Sequence, residues 1–498
     1  MLMRTLLALI AGALIAPSLA PFSIPLLVIA PPALLYIVSH NLSGRRAAWI
    51  GWCFGLGFFG SGVSWVFVSI YEHSQTPLAI AVVLTTLFVA ALALLFSLQL
   101  YLWRRFFSAR LIAVSFAGLW LLFEWGRSWL FTGFPWLYLG NAALDTPFQH
   151  LLPVGGVWLG SLAILITAMA LTGVLLHRKL LALVFLPLPF LLGSLSEHNW
   201  TTQLEEPIEV ALVQPNIPQQ IKWNPSFRTE ILDKYARLSR PHQDTELMLW
   251  PETAIPALFR NVATPLATLL NDLDSNGVTL ISGLPSLEPD ASHPKGYRIH
   301  NSLATLTTGS GVYHKQRLVP FGEYLPFEQH LRGVLDFFNL PMSSFSLPEG
   351  KQPLLTIRNH RISAAICYEI AYPELVRKSA KESALLLTVS NDTWFGHSIA
   401  PAQHMQIARA RALENSRWLI RGTNNGLTGL ISPQGEIVKQ LPPFQKGVLR
   451  GQVYASVGET PFQQFGSWPV LAIALFAALS GAGRRRGRSG EITQSDPV

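Results

Sequence analysis

The chain has 498 residues, half of them hydrophobic and only 13% charged, with a net charge of +8 and a mean hydropathy of +0.33. An ordinary soluble domain carries roughly 25% charged residues, so a disordered chain, a disulfide scaffold and a typical cytosolic enzyme are excluded. Of the 37 basic and 29 acidic residues, only nine and four fall in residues 1–200. The chain therefore divides into an apolar N-terminal part and a polar part long enough to bury a core of its own.

A membrane helix needs about 20 mostly apolar residues. Eight runs approach this: 5–20, 22–39, 47–70, 77–101, 111–131, 157–176, 180–196 and 467–483. The first ends in Ser-Leu-Ala, as a signal peptide does, but Pro21 follows that site directly and favours a retained helix. With the N-terminus inside, the clusters Arg45-Arg46, Arg104-Arg105 with Arg110, Arg178-Lys179 and Arg484 to Arg488 all fall on one side. The opposite loops, 71–76 and 132–156, hold no Lys or Arg. Basic loops stay in the cytoplasm, so the polar part is expected on the far side of the membrane, which for a bacterial protein is the periplasm. These flanking clusters also explain the positive charge without nucleic acid. The expected division is a membrane bundle with spans one to seven in 1–200, a polar domain in 201–460, and a last span with a basic cytoplasmic tail in 461–498. Glu124 and Arg127 stand three apart inside the fifth run and are expected to pair on one helical face. The stretch from Phe131 to Trp136 reads as an interfacial turn.

From Pro207 the pattern changes. Short β-rich runs at 208–213, 247–250, 278–283, 302–306, 362–366, 385–389, 428–431 and 448–453 alternate with helical stretches at 229–240 and 402–416. That alternation predicts one α/β domain. Ser432-Pro-Gln-Gly-Glu436 is a turn between two late strands. Three segments carry reactive groups. Trp250-Pro-Glu-Thr-Ala254 places Glu252 in the loop after a strand, Lys315 lies in the segment 313–324, and Cys367 stands at a strand-to-helix elbow. A cysteine nucleophile needs a base and donors for the oxyanion formed on attack. A carboxylate can serve as base, and a lysine can both lower the thiol pKa and stabilise the oxyanion. Cys53, inside an apolar run, reads as a small packing residue. No His/Cys cluster has metal-ligand spacing, so no metal or cofactor is expected, and His397 and His404 are assigned surface or packing roles.

Singly, such residues are most often loop or packing positions. Together, WPET, HKQRLVPFGEY and CYE in this order resemble the Glu–Lys–Cys triad of the nitrilase (carbon–nitrogen hydrolase) superfamily. With the apolar runs, QPNIPQQIKW at 214–223 and NDTWFGHSIAPAQH at 391–404, the whole chain resembles its membrane branch, the apolipoprotein N-acyltransferases. The resemblance implies a multi-span α-helical membrane bundle of about eight spans carrying an α/β nitrilase-like αββα sandwich. It implies transfer of an acyl chain from a phospholipid to the N-terminal amine of a diacylglyceryl-modified cysteine on an apolipoprotein, the last step of lipoprotein maturation. It further implies Glu252 as general base, Lys315 as oxyanion-stabilising lysine, Cys367 as the nucleophile that carries a thioester, and Trp223, Glu323, Tyr368 and Glu369 as supporting residues. The apolar loop 337–350 and the Trp394-Phe395 tip are expected to be mobile, membrane-facing covers. Keeping acyl chains under them avoids about 0.8 kcal/mol per exposed CH2. Two other readings stand beside this one. A membrane-anchored amidase or nitrile hydrolase would use the same triad with water as second nucleophile. A transporter with a degenerate nitrilase-like domain would need polar residues in mid-membrane helices, where Glu124 is nearly alone.

Overall fold

A computed structural model of the chain describes residues 1–73, 76–107, 111–177, 180–293, 295–320, 322–324 and 345–482. All eight apolar runs contain helix. Leu78–Phe106 and Pro147–Leu176 are long and apolar enough to cross a membrane, and Gly44–Val63 with Val66–His73, bent by 55°, makes a third if taken as one span. Leu2–Ser18, Pro25–Ser39, Ile112–Gly126, Ala182–Leu195 and Trp468–Ser480 are shorter. Helix length thus supports two or three spans among the described residues, where eight were expected. Prolines account for part of the difference: Pro25, Pro31, Pro32, Pro187 and Pro189 stand at or near helix starts, where proline is tolerated, and shorten the runs they punctuate.

Helix Gly44–Val63 is the centre of the helical region. A Cβ at Gly57 or Gly12 would overlap the backbone of Leu9 or Phe54, and one at Gly51 or Gly55 the backbone of Phe96 or Ala93. Small residues on two faces therefore let two neighbouring helices approach to backbone contact, as in other membrane bundles. Glu124 and Arg127 do not form the expected ion pair. Glu124 accepts from Leu139 N (2.8 Å), Ser161 Oγ (2.9 Å) and Trp120 Nε1 (3.2 Å), while Arg127 donates to Trp136 O (2.6 Å) and Leu137 O (3.3 Å). Both saturate the irregular backbone 136–139, which needs partners where water is scarce. Arg104, expected on a charged flank, is buried and donates to Leu42 O at 3.0 Å. Arg110, Arg178, Lys179, Arg484 to Arg488 and residues 337–344 of the expected cover lie outside the described residues.

The polar part forms two six-stranded sheets. The first has the order β12-β1-β2-β3-β4-β5, with β1 Thr202–Gln214, β2 Leu247–Leu249, β3 Thr279–Pro289, β4 Tyr297–Thr305, β5 Val312–His314 and β12 Gly447–Val457. The second has the order β11-β10-β9-β8-β7-β6, with β6 Leu355–Ile357, β7 His360–Ile366, β8 Leu385–Ser390, β9 Leu419–Thr423, β10 Gly429–Ile431 and β11 Ile437–Gln440. In each sheet three parallel strands form the middle: β1, β2 and β3, then β7, β8 and β9. Strand alternation explains the layers. Ile208, Val210 and Leu212 face Ile362, Ala364 and Ile366 between the sheets, whereas Val213, Met248 and Trp250 face outward onto helices Arg228–Ser239 and Ala263–Ser275. The expected sandwich is thus present, with β5, β6, β9 and β11 beyond the eight β-runs of the sequence.

The other outer layer is shared with the helical region. Helix Ala400–Asn415 packs on the second sheet, and fourteen of its sixteen residues are buried. Its polar side chains are not amphipathic surface; they reach into the bundle. Gln403 Oε1 accepts from Trp136 Nε1 (2.8 Å) and Trp65 Nε1 (3.1 Å), and its Nε2 donates to Gly62 O (3.1 Å). Gln406 Oε1 accepts from Ala20 N at 3.0 Å, and Glu414 Oε1 from Val157 N at 2.6 Å. One continuous apolar cluster therefore runs from Ala8 through Met405 to Ala474. Removing one partner from a buried hydrogen bond costs about 1–3 kcal/mol. Gln403→Leu, which strands two indole N–H groups and a carbonyl, should accordingly lower the thermal unfolding midpoint in detergent. An unchanged midpoint would show that these bonds contribute nothing net.

Candidate active site

The reactive residues gather at the C-terminal ends of the parallel strands, the usual place for a site in such sheets. β2 leads to Glu252, β7 to Cys367 and β8 to Asn391, while Lys315 directly follows β5. The Glu252 loop lies against β3 so closely that a Cβ at Gly283 would sit 2.5 Å from Pro251 O and 2.7 Å from Glu252 Cα. Trp250 N and Ile255 N bond to Ile281 O and Gly283 O at 2.9 and 3.1 Å, which fixes both ends of the loop.

Lys315 is 1% exposed, and its Nζ lies 2.8 Å from Glu323 Oε1 and 3.2 Å from Glu252 Oε1. Asn301 Nδ2 bridges the same two carboxylates, at 2.8 Å from Glu252 Oε1 and 2.9 Å from Glu323 Oε1. The outer oxygens are held by backbone: Asn391 N on Glu252 Oε2 (2.9 Å) and Val319 N on Glu323 Oε2 (2.8 Å). Lys222, also buried, donates to Glu252 O at 3.0 Å. An ammonium has three N–H donors. Two of those on Lys315 are committed to carboxylates, and one has no partner among the described residues.

Burial works to raise the Glu252 pKa, but the Lys315 charge, the Asn301 bond and Lys222 outweigh it and hold the carboxyl below its usual range. Burial lowers Lys222 to about 8. Lys315 goes the other way: burial opposes its charge, and Glu252 and Glu323 more than compensate. Burial, followed by the Glu252 charge, pushes the Cys367 thiol far up, against the opposing pull of Lys315. At rest the centre therefore holds a carboxylate, an ammonium and a neutral thiol.

Cys367 has φ +54° and opens a short 3-10 turn, Cys367–Ala371. A side-chain-bearing residue rarely adopts that conformation unless its surroundings impose it. Glu369 supplies the constraint. Its carboxylate accepts from Ile366 N (2.7 Å), Tyr313 OH (2.9 Å), Arg317 N (3.1 Å) and Gln316 N. One buried group thus ties the end of β7 to the segment that carries Lys315. On the other side, Tyr368 OH donates to Gly133 O and Tyr372 OH to Thr132 O, each at 3.0 Å, so the elbow is hooked to the helical region.

Of the residues singled out in the sequence, Glu252, Lys315 and Glu323 share one hydrogen-bonded cluster, coupled electrostatically to Cys367. Trp223 and Trp394 belong to a separate apolar group with Leu318 and Phe345. The tip 394–395, expected as a mobile cover, packs against the helical region. Trp394 packs on the His73 ring (5.2 Å), Phe395 on Trp65 (4.9 Å), and Ser69 Oγ donates to Trp394 O at 2.8 Å. Sequence reasoning missed Asn301, Asn391, Ser390, Asp392, His404 and Arg421. His404 and Asp392 lay inside the quoted segment 391–404, and Lys222 inside QPNIPQQIKW. Asn301 and Arg421 sit within strands and gave no signal.

Two back-to-back sheets with Glu252, Lys315 and Cys367 at their strand ends define a domain of the carbon-nitrogen hydrolase class, whose family model matches residues 209–462. A second model, the apolipoprotein N-acyltransferase N-terminal domain, matches residues 11–170. Over 94% of this chain and 93% of its own, an apolipoprotein N-acyltransferase of Pseudomonas aeruginosa is 45% identical, and one of Vibrio vulnificus is 40% identical over 97% and 98%. A solved amidase from Nesterenkonia sp. is similar over 53% of this chain and 95% of its own, at 19% identity and a TM-score of 0.35. The chain belongs to the apolipoprotein N-acyltransferase family. It is an acyltransferase, and its apolar helices make it a membrane protein.

Asn301→Asp keeps the shape of the bridge, removes two N–H donors and adds a third carboxylate beside Glu252 and Glu323. It should slow reaction at Cys367 more than Asn301→Ala does, by ~10² or more against wild type, the scale on which one acid–base group acts. Rates for the two variants in the reverse order would assign Asn301 to packing alone.

Proposed function

We propose that this protein moves a fatty acyl chain from a phospholipid to the N-terminal amine of a diacylglyceryl-cysteine on apolipoproteins, through a thioester on Cys367. The observation that carries this reading is the buried Lys315 ammonium, which among the described residues keeps one N–H uncommitted, against the ionised Glu252 and within electrostatic reach of the neutral Cys367 thiol. In the first half-reaction Glu252 takes the Cys367 proton as Sγ attacks the ester carbonyl. Lys315 and the Tyr368 N–H receive the oxyanion. The tetrahedral adduct collapses, the lysophospholipid oxygen leaves with the proton from Glu252, and the acyl group stays on sulfur. In the second, the lipoprotein amine attacks the thioester, Glu252 accepts its proton, and the amide forms as Cys367 leaves and is reprotonated. Two half-reactions through one covalent intermediate give ping-pong kinetics. Trp223, Trp394, Leu318 and Phe345 offer an apolar surface for the chains. In this reading the eight apolar runs act as spans, and the basic clusters between them support a catalytic domain on the periplasmic side of a bacterial inner membrane.

Purified protein given phospholipid but no amine should accumulate a hydroxylamine-labile acyl group on Cys367. The adduct should persist in Cys53→Ala, be absent from Cys367→Ala, and form ~10²–10³ more slowly in Lys315→Met, as when one oxyanion donor is lost. Continuous release of free fatty acid without an adduct would instead identify a hydrolase. A reporter active only after export, fused after Val498, should stay silent; activity would overturn the orientation.

A further inference from the structure

Behind Cys367, on the side of the helical region, lies a fully buried polar group that the reaction above does not use. His404, Asp392 and Arg421 are each 0% exposed. Arg421 Nη2 is 2.9 Å from Asp392 Oδ2 and 3.1 Å from His404 Nδ1. His404 Nε2 is 3.1 Å from Cys367 O. A guanidinium can only donate, so Nδ1 is the acceptor and Nε2 carries the hydrogen. Asp392 Oδ1, 3.2 Å from the same Nδ1, receives its hydrogen from Ser390 Oγ at 2.5 Å. The ring is held neutral: burial, and then the Arg421 charge, lower its pKa. The His404 side chain is in turn fixed between Trp136 and Phe395, with ring centroids 5.6 and 6.2 Å away. Its neighbour Gln403 is clamped to Trp65 and Trp136.

In a trans peptide the C=O and the following N–H point in opposite directions. A donor that holds Cys367 O toward the helical layer therefore turns the Tyr368 N–H away from it. As the second residue of its turn, Tyr368 has no carbonyl within that turn for its N–H. A flip of this peptide, which turns ψ of Cys367 and φ of Tyr368 together, would present a carbonyl where the oxyanion needs a donor. We propose that His404, its tautomer set by Arg421 and Asp392, is a positioning residue that locks the Cys367–Tyr368 peptide in the orientation that stabilises the oxyanion. The proposal rests on the acyl-enzyme reading above and adds a residue to it.

The test separates a step that needs the oxyanion donor from one that does not. Acylation of Cys367 by a labelled phospholipid passes through an oxyanion; alkylation by iodoacetamide at the same sulfur does not. Both are measured in full-length Cys53→Ala protein in detergent. Glutamine places its amide N–H where histidine has Nε2, and asparagine where it has Nδ1. His404→Gln should therefore acylate within about tenfold of the parent, and His404→Asn ~10²-fold more slowly, the scale of a lost oxyanion donor. The lipid concentration for half-maximal rate should not move, and alkylation should agree within about twofold in all three proteins, which also shows that each is folded. Equal acylation rates for the two variants would overturn the proposal. So would alkylation that falls in step with acylation, because His404 would then act on the thiol or on the fold. A parent that alkylates yet never acylates removes the acyl-enzyme reading itself, and this proposal with it.

Discussion

The constraint from which the site follows is the burial of the Lys315 ammonium. Taking such a charge out of water costs several kcal/mol unless partners of opposite sign hold it. Glu252 and Glu323 are those partners, and two carboxylates sharing one cation would repel each other without Asn301 between them. Each carboxylate then needs a donor for its remaining oxygen, which Asn391 N and Val319 N provide. This chain of requirements links β2, β4, the segment after β5 and the loop after β8, so positions far apart in sequence are fixed relative to one another. The same balance keeps Glu252 ionised.

The elbow at Cys367 is held from two sides. Glu369 binds it to the catalytic sheets through four donors, while Tyr368, Tyr372 and His404 bind it to the helical region and to helix Ala400–Asn415. A strained φ persists only when surroundings over-determine it, and here no single element does so. The geometry of Cys367 is thus a property of the junction between sheets and helical region.

Much of this was legible in the sequence because it rests on local pattern. Short β-rich runs such as 208–213 marked strands, and residues just after strands, such as Glu252 and Cys367, marked the site. The parts that were not legible depend on contacts across hundreds of positions. Leu419–Thr423 carries Arg421 in the middle of a fully buried strand, so its pattern does not look like a strand until Asp392 is seen beside it. Helix Ala400–Asn415 was legible as a helical stretch, but the burial of its glutamines and charges was not, because it is explained only by partners far away in the chain. The eight expected spans correspond to only two or three helices of full crossing length among the described residues, because hydropathy registers apolar length while prolines cut that length into shorter helices.

The shared outer layer also bears on how such a protein can change over time. The sequence divides near residue 200, yet the packing does not: Gln403, Gln406 and Glu414 reach Trp65, Trp136, Ala20 and Val157. Substitution at any of these strands a buried donor unless its partner changes too, so the two halves are bound to drift in concert. A chimera joining the bundle of one relative to the sheets of another inherits mismatched hydrogen bonds at this seam, however well its catalytic motifs agree. The graft that respects the seam carries helix Ala400–Asn415 as part of the membrane half.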